Sequence, residues 1–286
     1  MSQASIDVFE MPHPITEGTL QISVWANPTQ VGDDIPVLFV TDADLIFATA
    51  AEIVRLYGLG GMKPTAIVVG IGYGTDDLMA FTKLRTNDLT TPLDDAGRAK
   101  FDHMPSLIGD KSGGADAFLA FLVDTLKPEI ARRYPRASAT NHALLGHSLA
   151  GHFVSHALLT RPETFAAFLI GSPALWWNGF SILASLPAFP DKVRAIGRRP
   201  RVLIGVGGTE QDVPEKAPPG YQMTLEKYRE LIAGVRVVEG ARELAMAVRD
   251  AGLGEVKFVS FDDEDHITVF AALLMRSINF FVPRPT

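Results

Sequence analysis

The chain predicts an α/β architecture: a mainly parallel central sheet with helices on both faces. Short apolar, β-rich runs alternate with stretches of helical periodicity along its length, the order that builds parallel strands joined by crossover helices. Most of the β-rich runs are continuously apolar, the pattern of strands covered on both faces. A length of 286 residues suits one large sheet of this class, and no repeat, low-complexity tract or interdomain linker divides residues 1–286.

Strands are expected at Leu20 to Ala26, Pro36 to Thr41, Ala66 to Ile71, Ala143 to Gly146, Phe165 to Ile170, Arg201 to Val206 and Val256 to Phe261. Helical patterns lie at Phe47 to Tyr57, Ala115 to Tyr134, Ala150 to Thr160, Leu225 to Ile232, Ala241 to Ala251 and Ile267 to Phe281. Two stretches read as loops. Gly74 to Gly97 has little periodicity, and Gln211 to Gln222 carries three prolines and several charges, the composition of a loop that could close over a sheet edge as a lid. Long loops at the carboxyl ends of parallel strands are where such sheets place their sites.

Composition narrows the function. With 26 basic and 33 acidic side chains the net charge is −7, so the chain lacks the Lys/Arg-rich face that phosphate neutralisation requires, and nucleic acid is not an expected partner. The absence of cysteine excludes disulfides, thiolate metal sites and cysteine nucleophiles, and leans toward a cytoplasmic chain. No basic-then-apolar leader and no run approaching the ~18 apolar residues of a spanning helix occurs, so a soluble protein without a membrane partner is expected.

The segment His142-Ala-Leu-Leu-Gly-His-Ser-Leu-Ala-Gly151 runs from a short strand into a helix with Ser148 at the junction. Such a turn lifts a hydroxyl above the sheet and is crowded, so the positions two before and two after the serine must be small; Gly146 and Ala150 meet that demand, although Ala150 stands where the stricter pattern has glycine. A hydroxyl is a poor nucleophile without a base. Of the seven histidines, His266 alone follows the last strand and precedes the last helix, the position of the base in the chain order Ser, acid, His. The acid is expected after the Arg201 to Val206 strand, where Glu210 is the first candidate and Asp212 the second; a carboxylate among Asp262 to Asp265 is a further alternative. His152 and His156 stand one helical turn apart beside His147, but no His-Glu-x-x-His arrangement accompanies them, so packing rather than metal ligation is expected.

Together these segments resemble the putative-esterase branch of the α/β-hydrolases, which includes enterochelin (siderophore) esterases and esterase D relatives. The likeness spans Pro36 to Phe281 and rests on Pro36-Val-Leu-Phe-Val-Thr-Asp-Ala-Asp44, Arg85-Thr-Asn-Asp-Leu-Thr-Thr-Pro92, Gly113-Gly-Ala-Asp-Ala-Phe-Leu-Ala-Phe-Leu122, Gly146-His-Ser-Leu-Ala-Gly151, Gly171-Ser-Pro-Ala-Leu-Trp-Trp177 and Glu264-Asp-His266. The resemblance implies an α/β-hydrolase fold and hydrolysis of a small-molecule carboxylic ester through an acyl-enzyme on Ser148, with no metal or organic cofactor. It further implies an oxyanion hole from the backbone N–H groups of Leu149 and Ala43, although the family usually has glycine where Ala43 stands. Arg85 would reach an acidic or polar acyl or alcohol group, and Trp176 would line the pocket. Thioester hydrolysis or acyl transfer by the same residues, a catalytically silent ligand-binding relative, and a homo-oligomeric state all stay open.

Overall fold

Eight strands form one sheet in the order β1-β2-β4-β3-β5-β6-β7-β8. They are β1 (Asp7–Pro12), β2 (Thr19–Trp25), β3 (Ile35–Val40), β4 (Ile67–Gly72), β5 (Ala137–His147), β6 (Ala167–Gly171), β7 (Arg201–Gly207) and β8 (Val256–Phe261). From β4 to β8 every neighbour is parallel, whereas β2 pairs antiparallel with both β1 and β4. The computed structural model describes residues 6–27, 32–58, 65–101, 112–216 and 224–282.

The continuously apolar runs become central strands because each face is covered. On β3, Val37 and Phe39 enter one apolar layer while Leu38 and Val40 enter the other, and on β7 Val202, Ile204 and Val206 alternate with Leu203 in the same way. The first layer is closed by α4 (Ala115–Phe121), α6 (Leu149–Thr160) and α9 (Val237–Asp250), through side chains such as Phe118, Phe153 and Leu244. The second is closed by α1 (Ala43–Gly58) and α10 (Val269–Phe281), through Phe47, Val54, Leu274 and Ile278. Each fully buried Val, Leu, Ile or Phe side chain contributes about 1.5–3 kcal/mol, so these two layers are the main source of stability.

All seven expected strands form. The eighth, β1, escapes sequence reasoning because it is a largely exposed antiparallel edge strand ending at Pro12, with no apolar run to reveal it. The stretch from Gly74 to Gly97, expected as a loop, instead carries α2 (Leu78–Leu89), capped by the Asp77 carboxylate on the Met79 and Ala80 amides, and the start of α3 (Asp95–Phe101). Periodicity missed α2 because it buries Thr86, Asn87 and Asp88 alongside Phe81 and Leu89. Asp88 is satisfied there by His13 Nε2 at 2.9 Å and Asn87 Nδ2 at 2.9 Å.

The helix expected from Ala115 to Tyr134 is α4, a single π turn at Leu122–Leu126, and α5 (Lys127–Arg133). Pro128 lacks an N–H at the start of α5, which accounts for the local shift in hydrogen bonding. A 3-10 region within Trp177–Ala188, interrupted by left-handed backbone at Asn178, Gly179 and Phe180, and α7 (Phe189–Ala195) were also not anticipated. Within Gln211 to Gln222, residues 211–216 are irregular and residues 217–222 lie outside the described residues, as does residue 223 before α8 (Leu225–Val235). Among the described residues no helix is long and apolar enough to cross a membrane.

Buried His152 and half-buried His142 contribute to making the fold acid-sensitive. Burial, together with the neighbouring His156, holds His152 down to about 3. Burial, together with the Lys127 charge, holds His142 down to about 4. The unfolded chain protonates both near pH ~6.5. Below that pH the unfolded state binds more protons than the folded one, so stability is complete above about pH 6.5 and falls as the pH drops toward 4. The expected loss is about 1.4 kcal/mol per pH unit per residue. Urea unfolding at pH 7.5 and about 5 should show it, and His152→Gln should flatten the dependence; an unchanged slope would mean that His152 is not a source.

Candidate active site

Ser148 sits between the last residue of β5 and the first of α6, at φ 63° and ψ −120°. That is a costly conformation for a residue with a side chain, about 1–3 kcal/mol, and its surroundings impose it. Its N–H donates to the Gly171 carbonyl at 2.9 Å, while its carbonyl accepts from the His152 and Ala174 amides at 2.9 and 3.0 Å. The turn leaves no spare room. A Cβ on Gly146 would lie 2.6 Å from the Ala150 carbonyl carbon, and one on Gly151 would meet the Gly171 carbonyl and Pro173 Cα.

His266 stands on the loop between β8 and α10. Asp265 shapes that loop by accepting from the Ile267 and Thr268 amides, each at 2.8 Å. His266 Nε2 lies 3.0 Å from Ser148 Oγ, and Nδ1 lies 2.6 Å from Glu210 Oε2. Glu210 is in the turn after β7 and is 9% exposed. Its other oxygen, Oε1, accepts from the Ser172 hydroxyl at 2.5 Å and the Gly207 amide at 2.6 Å. Burial pushes the Glu210 carboxyl up, but the bonds from His266, Ser172 and Gly207 outweigh it and hold the group below the usual carboxylate range. An ionised Glu210 can only accept, so Nδ1 carries the imidazole proton and Nε2 is left to accept from the Ser148 hydroxyl. Asp212, Asp262 and Asp263 are exposed, and the two imidazole nitrogens bond Glu210 and Ser148 instead.

Ala43 and Leu149 are the first residues of α1 and α6, so neither N–H has an acceptor four residues back within its helix. The residue before each is left-handed, Asp42 at φ 54° and Ser148 at φ 63°. The positive φ thus falls at position 42, and Ala43 itself does not need glycine's freedom. The carboxylates flanking Ala43 are both engaged: Asp44 accepts from the Tyr73 and Gly74 amides at 2.8 and 2.7 Å, and Asp42 is held by Arg85.

Arg85 was expected to face the substrate. Its planar fork is instead laid on Asp42, with Nε to Oδ1 at 3.0 Å and Nη2 to Oδ2 at 2.6 Å, and the two side chains are only 14% and 7% exposed. Trp176 is half-buried and packs against a small apolar cluster of Leu93, Leu149, Ala174 and Trp177, which includes the residue after Ser148. His152 lies between the Ala174 carbonyl and the Thr91 hydroxyl, and His156 pairs with Asp116. No group of three or more metal-ligating side chains occurs among the described residues.

Sequence reasoning missed Ser172, although it lies in the Gly171-Ser-Pro segment already singled out; nothing in the pattern said that its hydroxyl would turn toward a carboxylate 38 residues on. It also left His147 without a role, yet the His147 ring touches the His266 loop.

The fold and these contacts have counterparts among known proteins. A family model described as "Putative esterase" matches residues 17–255. The chain is 31% identical over 251 residues to Ferri-bacillibactin esterase BesA of Bacillus subtilis (strain 168), covering 86% of this chain and 78% of that protein. It is 28% identical over 263 residues to Siderophore triacetylfusarinine C esterase of Aspergillus fumigatus, covering 90% and 85% respectively. Siderophore hydrolase EstA from Aspergillus nidulans superposes with a TM-score of 0.83 at 27% identity, covering 98% of this chain and 94% of that one. The fold is the α/β-hydrolase fold.

Two substitutions follow from the geometry. Glu210→Gln should lower turnover roughly 10²–10⁴-fold by favouring the wrong imidazole tautomer, and Asp212→Asn should change it little; steady-state kinetics showing the reverse would move the acid to Asp212. Arg85→Ala should lower kcat/KM by up to roughly 10²-fold, equally for ester pairs with and without a carboxylate, because it loosens Asp42 and with it the Ala43 amide. A loss confined to the carboxylate-bearing ester would make Arg85 a substrate contact instead.

Proposed function

The chain belongs to the putative-esterase family and is a carboxylic-ester hydrolase, and from that premise we propose that it cleaves the ester bonds of a siderophore through a Ser148-Glu210-His266 triad. The observation that carries the reading is the unbroken chain Ser148 Oγ, His266 Nε2, His266 Nδ1, Glu210 Oε2, with steps of 3.0 and 2.6 Å, on a protein similar to siderophore esterases over most of its length.

His266 takes the Ser148 proton as the alkoxide attacks the ester carbonyl, and Glu210 stabilises the imidazolium that forms. The amides of Ala43 and Leu149 receive the developing oxyanion; each such donor is worth about 10²–10³ in rate. The imidazolium returns the proton to the departing alcohol. A water, activated by the same imidazole, then releases the acid and restores Ser148. Leu93, Leu149 and Trp176 offer an apolar wall to the group beside the scissile bond.

Two measurements test the reading. Ser148→Ala and His266→Ala should each abolish hydrolysis while the protein still melts cooperatively, and the double variant should be no slower than either single one, because the residues act as a unit. Near-normal turnover in His266→Ala would remove the triad. For substrate class, triacetylfusarinine C, bacillibactin and enterobactin should be assayed beside S-formylglutathione and short p-nitrophenyl esters. A siderophore should give the highest kcat/KM; preference for S-formylglutathione would move the chain to thioester chemistry.

A further inference from the structure

In the sheet order β5-β6-β7-β8, the strand before His266 stands three places from the strand before Ser148, roughly 14 Å at about 4.8 Å per strand. The loop after β8 must therefore reach back across the ends of β7 and β6 for His266 to meet the hydroxyl. On its β7 side the loop is well fastened. Gly208 N–H donates to the Phe261 carbonyl at 2.8 Å, and Thr209 donates to the Glu264 carbonyl from both its amide, at 3.1 Å, and its hydroxyl, at 2.9 Å. Those bonds hold the loop to the acid's turn and leave its distance from the nucleophile unspecified.

The residue immediately before Ser148 meets the same loop from the other side. His147 Nε2 lies 2.9 Å from the main-chain carbonyl of His266, and its ring lies against the His266 ring at a centroid distance of 4.8 Å and a tilt of 36°. Phe270 of α10 closes the other side, 5.4 Å from the His147 ring centroid. We propose that His147 is a positioning residue, tethering the His266 main chain to the nucleophile strand so that the Ser148–His266 distance is set by a hydrogen-bonded ring. The proposal rests on the triad reading above.

A space-filling role does not account for this ring. A carbonyl can only accept, so Nε2 carries the proton and Nδ1 is left as an acceptor, and that atom is buried without a partner. An orphaned buried acceptor carries a desolvation penalty that a phenyl ring of similar shape would avoid. The polarity of His147 is explained by the bond to the His266 carbonyl. The charged and titratable groups near it are His266, Glu210 and Arg85. Burial and the neighbouring His266 hold His147 down to about 4, with Arg85 lowering it further and Glu210 opposing them. It therefore stays neutral while His266 cycles to imidazolium, and adds no second cation beside it.

His147→Phe keeps the ring and loses the donor; His147→Gln keeps a donor at similar reach. The second-order rate of Ser148 labelling by a fluorophosphonate reports activation of the hydroxyl whatever the natural ester, so it separates the tether from the substrate assignment. Rates are normalised to the fraction of protein that finally labels, so unfolded protein does not count. The Phe variant should label, and turn over a p-nitrophenyl ester, about 10–10²-fold more slowly, with KM changed less than about twofold and thermal stability equal or higher. Gln should recover most of the loss, and the ratio to the parent should be constant between about pH 6 and 8, where His147 does not titrate. A Phe variant within about twofold of the parent, a Gln variant no better than Phe, or a ratio that varies with pH overturns the tether. A parental protein that does not label at all overturns the nucleophile reading and the tether with it.

Discussion

Glu210 is a charge placed where water barely reaches it, and the surrounding architecture follows from keeping it there. An ionised carboxylate removed from water costs several kcal/mol unless donors replace the lost hydration. Three donors do so, and each comes from a different place: the Gly207 amide at the end of β7, the Ser172 hydroxyl just beyond β6, and the His266 imidazole after β8. Adjacent parallel strands of matching register are what bring their carboxyl ends within reach of one group. The carboxylate in turn decides which imidazole nitrogen holds the proton. A neutral residue here would relieve the electrostatic cost and lose the tautomer, so the buried charge is better explained by the His266 orientation than by stability.

A second buried charge pair governs the other half of the site. Asp42 adopts a left-handed conformation, and the Arg85 fork fixes its carboxylate from α2. Arg85 belongs to a wider polar region beneath the loop after β3. Burial and the carboxylates of Asp88 and Asp42 hold the Tyr73 phenol well above its ordinary value, hence protonated, while Asp88 is bound to His13 near the amino terminus. Polar contacts of this kind are directional where apolar packing is not, and here they fix the backbone that leads into α1.

How much of this is legible in the sequence depends on whether a residue acts through a pattern or through a single contact. The central strands announce themselves because burial on both faces demands an unbroken apolar run. Ser148, His266 and Glu210 are legible because each must follow a particular strand, and chain order restricts the choice. By contrast α2 is invisible to periodicity, since its inner face carries Thr86, Asn87 and Asp88, and polar burial has no period. The Arg85–Asp42 pair, the Ser172–Glu210 bond and the His147 contact join residues 43, 38 and 119 positions apart, and no local rule records such pairings. Arg85 shows the hazard plainly: its guanidinium suits a substrate carboxylate and a structural one equally well, and only the fold places Asp42 opposite it.

The two departures from the family's glycine pattern have one physical explanation. At each of them the small residue that the turn needs has been supplied by the facing strand. Ala150 stands where a second glycine is usual after the nucleophile, and the space for its methyl exists because position 146 has none: a Cβ there would lie 2.9 Å from that of Ala150. Ala43 stands at the start of α1 where the family usually has glycine, and its methyl faces Gly70 of β4, where an added Cβ would lie 2.8 Å away. Steric demand at such a turn belongs to a pair of positions, one on the turn and one on the strand beneath it. The methyl belongs on the turn and the glycine on the strand, because a Cβ on Gly146 would also lie 2.6 Å from the Ala150 carbonyl carbon and one on Gly70 would lie 2.6 Å from Phe47 Cδ2. What the turn then still requires is the left-handed backbone itself, and in both places a polar residue, Asp42 or Ser148, carries it instead of glycine.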